Sequence, residues 1–180
     1  MGLETWGIDK SWTLFLDRDG VINRRSFGGY ILEAKHFEFE PGVLSALEQA
    51  NQLFNRIIVV TNQQCVALEL LTEEALAALH EYMIKEITLN MGRIDAVFAA
   101  TELKSNATRR KPKAAMGFEA KERYPEIDFS KSIMVGDTDS DVVFGKALGM
   151  KTVLIRSAEV TKEVPDVTVD SLYDFIQKLC

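Results

Sequence analysis

Hydrophobic positions along this chain fall into two alternating patterns. Short unbroken apolar runs, of the kind a strand buried on both faces needs, alternate with stretches in which apolar residues recur every three or four positions. Residues 12–17 form the first run, which stops abruptly at Asp17. Residues 24–39 are irregular, and Gly28-Gly29 among aromatic and β-branched residues predicts a small hairpin or flap beside the strand end. Glu40-Pro41-Gly42 opens a helix to about Phe54, with Val43, Leu47, Ala50 and Phe54 on one face. Residues 57–60 make a second strand that ends in Thr61-Asn62-Gln63-Gln64. Thr72 caps a helix reaching about Met91, with a stripe of Leu76, Leu79, Met83 and Ile87. Residues 94–99 read as a third strand, 101–110 as a polar loop, and Lys111-Pro112-Lys113 leads into a helix to about Tyr124. A fourth strand, 132–135, breaks at Gly136-Asp137-Thr138-Asp139-Ser140-Asp141, and the helix after it stops at Leu148-Gly149. Residues 152–155 are a fifth strand, 167–169 a short extended segment and 171–179 a closing helix.

This alternation predicts an α/β fold: a Rossmann-like three-layer sandwich with a mostly parallel sheet of five or six strands and helices on both faces. There is no internal repeat, and residues 1–180 are expected to form one domain. Ligands of such sheets collect outside the carboxyl ends of the strands, where strand order reverses. Asp17-Arg-Asp19, Thr61-Asn62 and Gly136-Asp137 all stand at predicted strand ends, and Lys111 stands at the entry to a helix. Asp17 and Asp19, two apart, share a face in extended geometry. Paired carboxylates there are costly unless they hold a cation, meet partners or do chemistry. Asp17 and Asp137 suit a hard divalent cation, while Thr61 and Lys111 suit phosphate oxygens. Taken alone, Asp-Arg-Asp-Gly could be a solvated turn; its coincidence with three other polar strand or helix ends argues otherwise.

Composition narrows the function classes. Of 180 residues, 47% are hydrophobic and 27% charged, an ordinary soluble globular balance. A net charge of −6, with no basic cluster longer than Arg109-Arg110-Lys111, argues against a nucleic-acid partner. It does not exclude anionic substrates, because local fields in a cleft outweigh net charge. No apolar run approaches the roughly 18 residues of a membrane span, and the amino-terminal Met-Gly-Leu-Glu-Thr-Trp lacks the regions of a signal peptide. Cys65 and Cys180 have no ligand-spaced neighbours and fit plain thiols in a reducing cytoplasm. His36 and His80 read as packed or surface residues rather than ligands. A cytoplasmic monomer is expected.

The motifs Leu-Asp17-Arg-Asp19-Gly-Val-Ile-Asn23, Val-Val-Thr61-Asn62-Gln63, Arg110-Lys111-Pro112 and Val-Gly-Asp137-Thr-Asp-Ser-Asp141 occur in this order across most of the chain. In this the chain resembles the haloacid dehalogenase-like hydrolase superfamily. It is most similar to subfamily IIIA, the branch of heptose 1,7-bisphosphate 7-phosphatases and histidinol-phosphate phosphatases; Gly29-Tyr30 and Phe37-Glu-Phe39 followed by Pro41-Gly42-Val43 add to this. The resemblance implies a phosphomonoester hydrolase working through an aspartyl-phosphate. Asp17 would be the nucleophile and Asp19 the general acid and base. Asp17, the Asp19 backbone carbonyl and Asp137 would hold Mg²⁺. Thr61 and Lys111 would stabilise the transferring phosphoryl group, Asn62 and Arg110 would position substrate, and Asp141 would support the site from behind. The implied substrate is a small sugar phosphate such as D-glycero-D-manno-heptose 1,7-bisphosphate, or alternatively histidinol phosphate.

The chain departs from that branch at its recognition loops. The zinc loop that usually precedes Arg-Lys-Pro is replaced by Ala99-Ala-Thr-Glu-Leu-Lys-Ser-Asn-Ala-Thr-Arg109, without Cys or His, so no zinc is expected. Gln64-Cys65-Val-Ala-Leu-Glu69 replaces a loop that tends to carry a glycine and a cation, Lys113-Ala-Ala stands where His-Pro-Gly is more usual, and Thr138 where Lys is frequent. The stretch between Asn23 and Pro41 is short, and that between Thr61 and the third strand is mostly one helix, so neither insertion point has room for a cap domain and an open site is expected, rimmed by the flap at 27–32 and the loop at 101–109. Tyr30, Arg24 and Arg25 stand on that rim. Two other classes remain. A phospho-accepting receiver domain also uses an acidic pair, a Thr and a Lys, but in another sequence order. A catalytically silent relative would not be expected to keep Asp17, Asp19, Thr61, Lys111 and Asp137 together.

Overall fold

The computed structural model describes residues 3–180; Met1 and Gly2, part of the amino-terminal stretch and of the single-domain span read above, lie outside the described residues. Six strands form one sheet in the order β3-β2-β1-β4-β5-β6, every neighbouring pair parallel. They are β1 (Thr13–Leu16), β2 (Arg56–Asn62), β3 (Ala96–Ala100), β4 (Ser132–Gly136), β5 (Lys151–Ile155) and β6 (Val167–Val169). The short segment at 167–169 is therefore a true sixth strand, paired on β5. The connecting helices are α1 (Val43–Leu53), α2 (Glu73–Leu89), α3 (Ala115–Arg123), α4 (Asp139–Leu148) and α5 (Leu172–Gln177).

Strand alternation divides the apolar side chains between two layers. Leu14, Leu16, Ile57, Val59, Ile133 and Val135 pack with Ala46, Leu47 and Ala50 of α1, Leu79, Met83 and Ile87 of α2 and Phe175 and Ile176 of α5. Phe15, Ile58, Val60 and Met134 face the other way, onto Met116 and Ala120 of α3 and Phe144 and Leu148 of α4. Both faces of the central strands are thus dry, which explains why they read as unbroken apolar runs. The strand order reverses between β1 and β4, whose register pairs Leu16 with Val135. The chain leaves both strands at that level, bringing Asp17 and Asp137 together.

The flap is not a hairpin. Residues 24–39 hold turns, a single-turn 3-10 helix (Ala34–His36) and one isolated antiparallel bridge, Asn23 to Phe39. Its feet are tied by the amide of Arg24 donating to the Glu38 carbonyl (2.8 Å) and that of Glu40 to Ile22 (2.9 Å). The aromatic residues that suggested a strand serve as anchors instead: buried Phe37 packs edge-on to Phe39 and Tyr82. Turns alone fill residues 63–71, so neither insertion point carries a cap domain. No described helix is long and apolar enough to cross a membrane.

Candidate active site

Asp17 leaves β1 directly, its amide donating to the Val135 carbonyl (2.9 Å). The residue is 9% exposed, at the floor of a cavity of about 850 Å³ that the flap, the loops after β2 and β4, and residues 159–163 surround. Oδ1 accepts from the Arg18 amide (2.7 Å) and lies 3.0 Å from Lys111 Nζ. Lys111, fully buried, also donates to Asp141 Oδ1 (2.6 Å). Burial opposes the charge on this lysine, yet Asp141 and Asp17 hold its ammonium above the usual range. Asp141 Oδ2 in turn accepts from the amide (3.1 Å) and hydroxyl (2.7 Å) of Thr138, which fixes the start of α4.

Asp137 completes the cluster. One carboxylate oxygen each of Asp17, Asp137 and Asp141 lie within 4.8 Å of one another, all three residues buried. Two glycines make this crowding possible. A Cβ on Gly20, whose φ is +86°, would lie 2.3 Å from Asp137 Oδ2, and one on Gly136 would lie 2.1 Å from the Asp141 Cβ. Arg25, from the flap, donates to both oxygens of Asp137 (3.1 and 2.9 Å) and lies 3.6 Å from Glu159. Burial pushes the Asp17 carboxyl up to about 7 against the pull of Lys111, with Asp141 and Asp137 adding to the rise. It likewise pushes Asp137 to about 6, opposed by Arg25. Three buried carboxylates thus face two cations, Lys111 and the part-exposed Arg25. An all-oxygen donor set short of positive charge fits a hard divalent cation.

Asp19 is held differently. Both of its oxygens accept from Arg18 Nη2 (2.9 and 3.0 Å), Oδ1 also accepts from Asn23 Nδ2 (2.9 Å), and Oδ2 from Gln63 Nε2 (2.8 Å). Despite the opposing effect of burial, Arg18, Asn23 and Gln63 keep its carboxyl below the ordinary carboxylate range. Arg18 is itself a buried cation, with Nη1 3.2 Å from His80 Nε2 on α2 and its guanidinium carbon 5.9 Å from the Phe37 ring centre. Burial and the nearby Arg18 charge push the His80 imidazole down to about 4, so it faces Arg18 neutral. His80 is thus a packed histidine with a polar duty.

Of the other residues singled out in the sequence, Thr61 is buried, and its Oγ1 accepts from Gln63 Nε2 (2.8 Å). Asn62 lines the cavity, but its amide group grips the Lys111 backbone: Oδ1 accepts from the Lys111 amide (2.9 Å) and Nδ2 donates to its carbonyl (3.2 Å). Arg110 lines the cavity and has a buried Nη1 without a hydrogen-bond partner. Sequence reasoning gave no duty to Gln63, which joins Asp19 to Thr61, or to the Arg18–His80 pair. Gln63 stood inside the quoted Thr-Asn-Gln motif, whereas nothing in the sequence pairs Arg18 with a residue 62 positions away.

An all-parallel sheet with an aspartate leaving its central strand, an acidic loop on the neighbouring strand and a buried lysine between them makes an aspartate-centred candidate site of the kind α/β hydrolases use. A HAD-hydrolase-like family model matches residues 108–175. The D-glycero-alpha-D-manno-heptose-1,7-bisphosphate 7-phosphatase of Mycobacterium tuberculosis is 31% identical over 169 residues, spanning 91% of this chain and 89% of the relative. The D-glycero-beta-D-manno-heptose-1,7-bisphosphate 7-phosphatase of Haemophilus influenzae is 32% identical over 173 residues, 89% of this chain and 92% of the relative. Among solved structures, the D,D-heptose 1,7-bisphosphate phosphatase of B. bronchiseptica, complexed with magnesium and phosphate, superposes with a TM-score of 0.83 at 24% identity, covering 93% of this chain and 97% of that one. The chain belongs to the haloacid dehalogenase-like hydrolases.

Proposed function

We propose that this chain is a Mg²⁺-dependent phosphomonoester hydrolase that acts through an aspartyl-phosphate on Asp17. Its substrate is a small sugar phosphate, D-glycero-D-manno-heptose 1,7-bisphosphate foremost. The observation that carries the reading is the Asp17 carboxylate at the cavity floor, 3.0 Å from buried Lys111 and clustered with Asp137 and Asp141. The names of the relatives support the substrate class. The same reading has one uncapped domain working as a cytoplasmic monomer without nucleic acid.

Asp17, Asp137 and the Asp19 backbone carbonyl would hold Mg²⁺, which when bound neutralises and orients the phosphoryl oxygens. An Asp17 oxygen attacks phosphorus, the bond from phosphorus to the leaving oxygen breaks, and Asp19 delivers the proton that this oxygen takes up. Water then attacks the aspartyl-phosphate at phosphorus and gives its proton to Asp19. The bond to the Asp17 oxygen breaks, releasing phosphate and restoring the carboxylate. The grip of Arg18, Asn23 and Gln63 favours the ionised, water-activating form of Asp19. An ammonium has three donors, and Lys111 spends two on Asp17 and Asp141, leaving one for a phosphoryl oxygen, which the Thr61 hydroxyl would also stabilise. Asn62 acts through the Lys111 backbone, and Arg110 engages the distal part of the substrate.

Phosphate release with Mg²⁺ across sugar bisphosphates, sugar monophosphates, histidinol phosphate and nucleotides tests the reading. EDTA is expected to abolish it. Preference for histidinol phosphate would transfer the assignment to that substrate, and no release from any of them would leave a phosphate-ligand-binding relative. No zinc is part of this site, since residues 99–109 offer neither Cys nor His; metal analysis of chelator-free protein is expected to find none.

The raised carboxyls give the metal a pH signature. In the metal-free fold Asp17 and Asp137 retain protons that an unfolded chain releases near its ordinary value of 3.8. The folded state therefore binds more protons over that window, and stability contributed by these groups falls as pH rises from about 4 to about 7. A bound divalent cation offsets that loss. The Mg²⁺-induced rise in Tm is accordingly expected to be larger at about pH 7.5 than at about pH 5. A rise independent of pH would count against metal binding at these carboxylates.

A further inference from the structure

Three consecutive cations end the loop between β3 and α3, and only the middle one lacks a carboxylate partner among the described residues. Arg109 points away from the cavity, its Nε and Nη2 donating to the two oxygens of Glu119 on α3 (both 2.7 Å) and Nη1 to the Ala99 carbonyl (3.0 Å). Lys111 is held at its backbone by Asn62 and at its ammonium by Asp17 and Asp141. Arg110 has no carboxylate partner among the described residues, and its guanidinium stands in the cavity wall with Tyr30 nearby. An arginine so placed needs a rigid backbone beneath it, because a swinging guanidinium loses side-chain entropy on every capture.

On the amino-terminal side of Arg110, that rigidity comes chiefly from Glu102. Glu102 folds back across the loop: Oε2 accepts from the amides of Thr108 and Arg109 (both 2.8 Å), and Oε1 from the Thr108 hydroxyl (2.6 Å). Lys113 Nζ closes the same turn on the Ala107 carbonyl (2.6 Å). Those donors hold the Glu102 carboxyl down to about 2, far below an ordinary glutamate, so it stays ionised throughout the working range. The backbone around Arg110 is thereby fixed on both sides, by Glu102 at 108–109 and by Asn62 at 111.

We infer that Glu102 is a positioning residue for substrate capture: its carboxylate sets the backbone at 108–109 so that Arg110 is presented, unpartnered, to the anionic distal group of the substrate. The inference rests on reading the cavity as a phosphomonoester site. Glu102 touches neither Asp17 nor any residue that would hold Mg²⁺, so the chemical step stays intact without it. Removing the carboxylate frees the loop and weakens capture.

Steady-state phosphate release from D-glycero-D-manno-heptose 1,7-bisphosphate and from p-nitrophenyl phosphate tests this in the Mg²⁺-loaded protein. Glu102→Ala is expected to raise KM for the bisphosphate about tenfold with kcat within about threefold, the size of one disordered charged contact. Glu102→Gln, which can keep its oxygen on the two amides but loses the charge and the acceptor for the Thr108 hydroxyl, should fall between wild type and Glu102→Ala. Hydrolysis of p-nitrophenyl phosphate, which has no distal anion, should stay unchanged in both variants. In an Arg110→Met background, Glu102→Ala should add no further rise in KM. Unchanged KM for the bisphosphate in Glu102→Ala, or equal loss on both substrates with a lowered Tm, would overturn this inference and leave the phosphatase reading standing. A wild-type protein inert on both substrates would overturn that reading and the inference with it.

Discussion

Asp17→Asn is expected to lower turnover by about 10⁴-fold or more while leaving the fold at least as stable as wild type. The loss follows from the proposed chemistry: an amide oxygen is a poor nucleophile, and removing the attacking group of a covalent mechanism leaves only binding and electrostatic effects. The stability argument is separate. Burial pushes the Asp17 carboxyl up to about 7, which means that its ionised form is unfavourable where the fold holds it. Asparagine has the same shape and no charge, and its side-chain oxygen can still accept from the Arg18 amide and Lys111, the two donors that Asp17 Oδ1 now serves. Lys111 keeps Asp141 as its counter-ion. Activity and stability should therefore move apart, as they do where a site is strained for function. Phosphate release and a thermal melt on the same metal-free and Mg²⁺-loaded samples check both halves. Turnover undiminished in Asp17→Asn would remove the aspartyl-phosphate mechanism; turnover lost together with a large fall in Tm would show only that the protein had been damaged.

What the sequence disclosed, and what it hid, follows from how local each determinant is. The strands are legible because both faces are dry, so Leu14, Phe15 and Leu16 cannot be anything but apolar. Asp17, Thr61 and Asp137 are legible for the converse reason: each is a polar residue at the point where such a run ends. The parallel topology then brings them together without further information. The flap was misread as a possible hairpin because Gly28-Gly29 and the aromatics around it give a local turn signal. The deciding contact, Phe37 against Tyr82 of α2, lies 45 residues away in sequence. The duty of Asn62 was equally non-local. The sequence offered it for positioning substrate and gave no sign that, from the cavity wall, its amide also grips the Lys111 backbone across 49 positions. Buried Arg18 illustrates the same limit. Its neighbours in sequence are two carboxylates, and only the fold reveals that it neutralises one of them and rests on a neutral histidine.

Lys111→Met is expected to cost both activity and stability, the opposite pattern to Asp17→Asn on the second count. Methionine matches the lysine stem but removes the ammonium that lies 3.0 Å from Asp17 and 2.6 Å from Asp141. Both carboxylates, with Asp137 beside them, would then be buried with only Arg25 for countercharge. Breaking a buried pair by removing one partner typically costs about 3–5 kcal/mol, because the remaining charge is left uncompensated. For a chain of this length each kcal/mol lowers Tm by roughly 2–4 °C, so the metal-free variant should melt roughly 6–20 °C below wild type. Two further measurements separate this electrostatic account from simple loss of packing. Mg²⁺ should recover more stability in Lys111→Met than in wild type, since it supplies the missing charge. Adding Asp141→Asn to Lys111→Met should recover part of the loss, since the two changes are coupled through one contact. Neither change should restore turnover, because the third ammonium donor proposed for the phosphoryl group is gone. A Lys111→Met protein that melts with wild type would show that the ammonium does not hold the acidic cluster together, and additive effects of Lys111→Met and Asp141→Asn would break the link between these two residues.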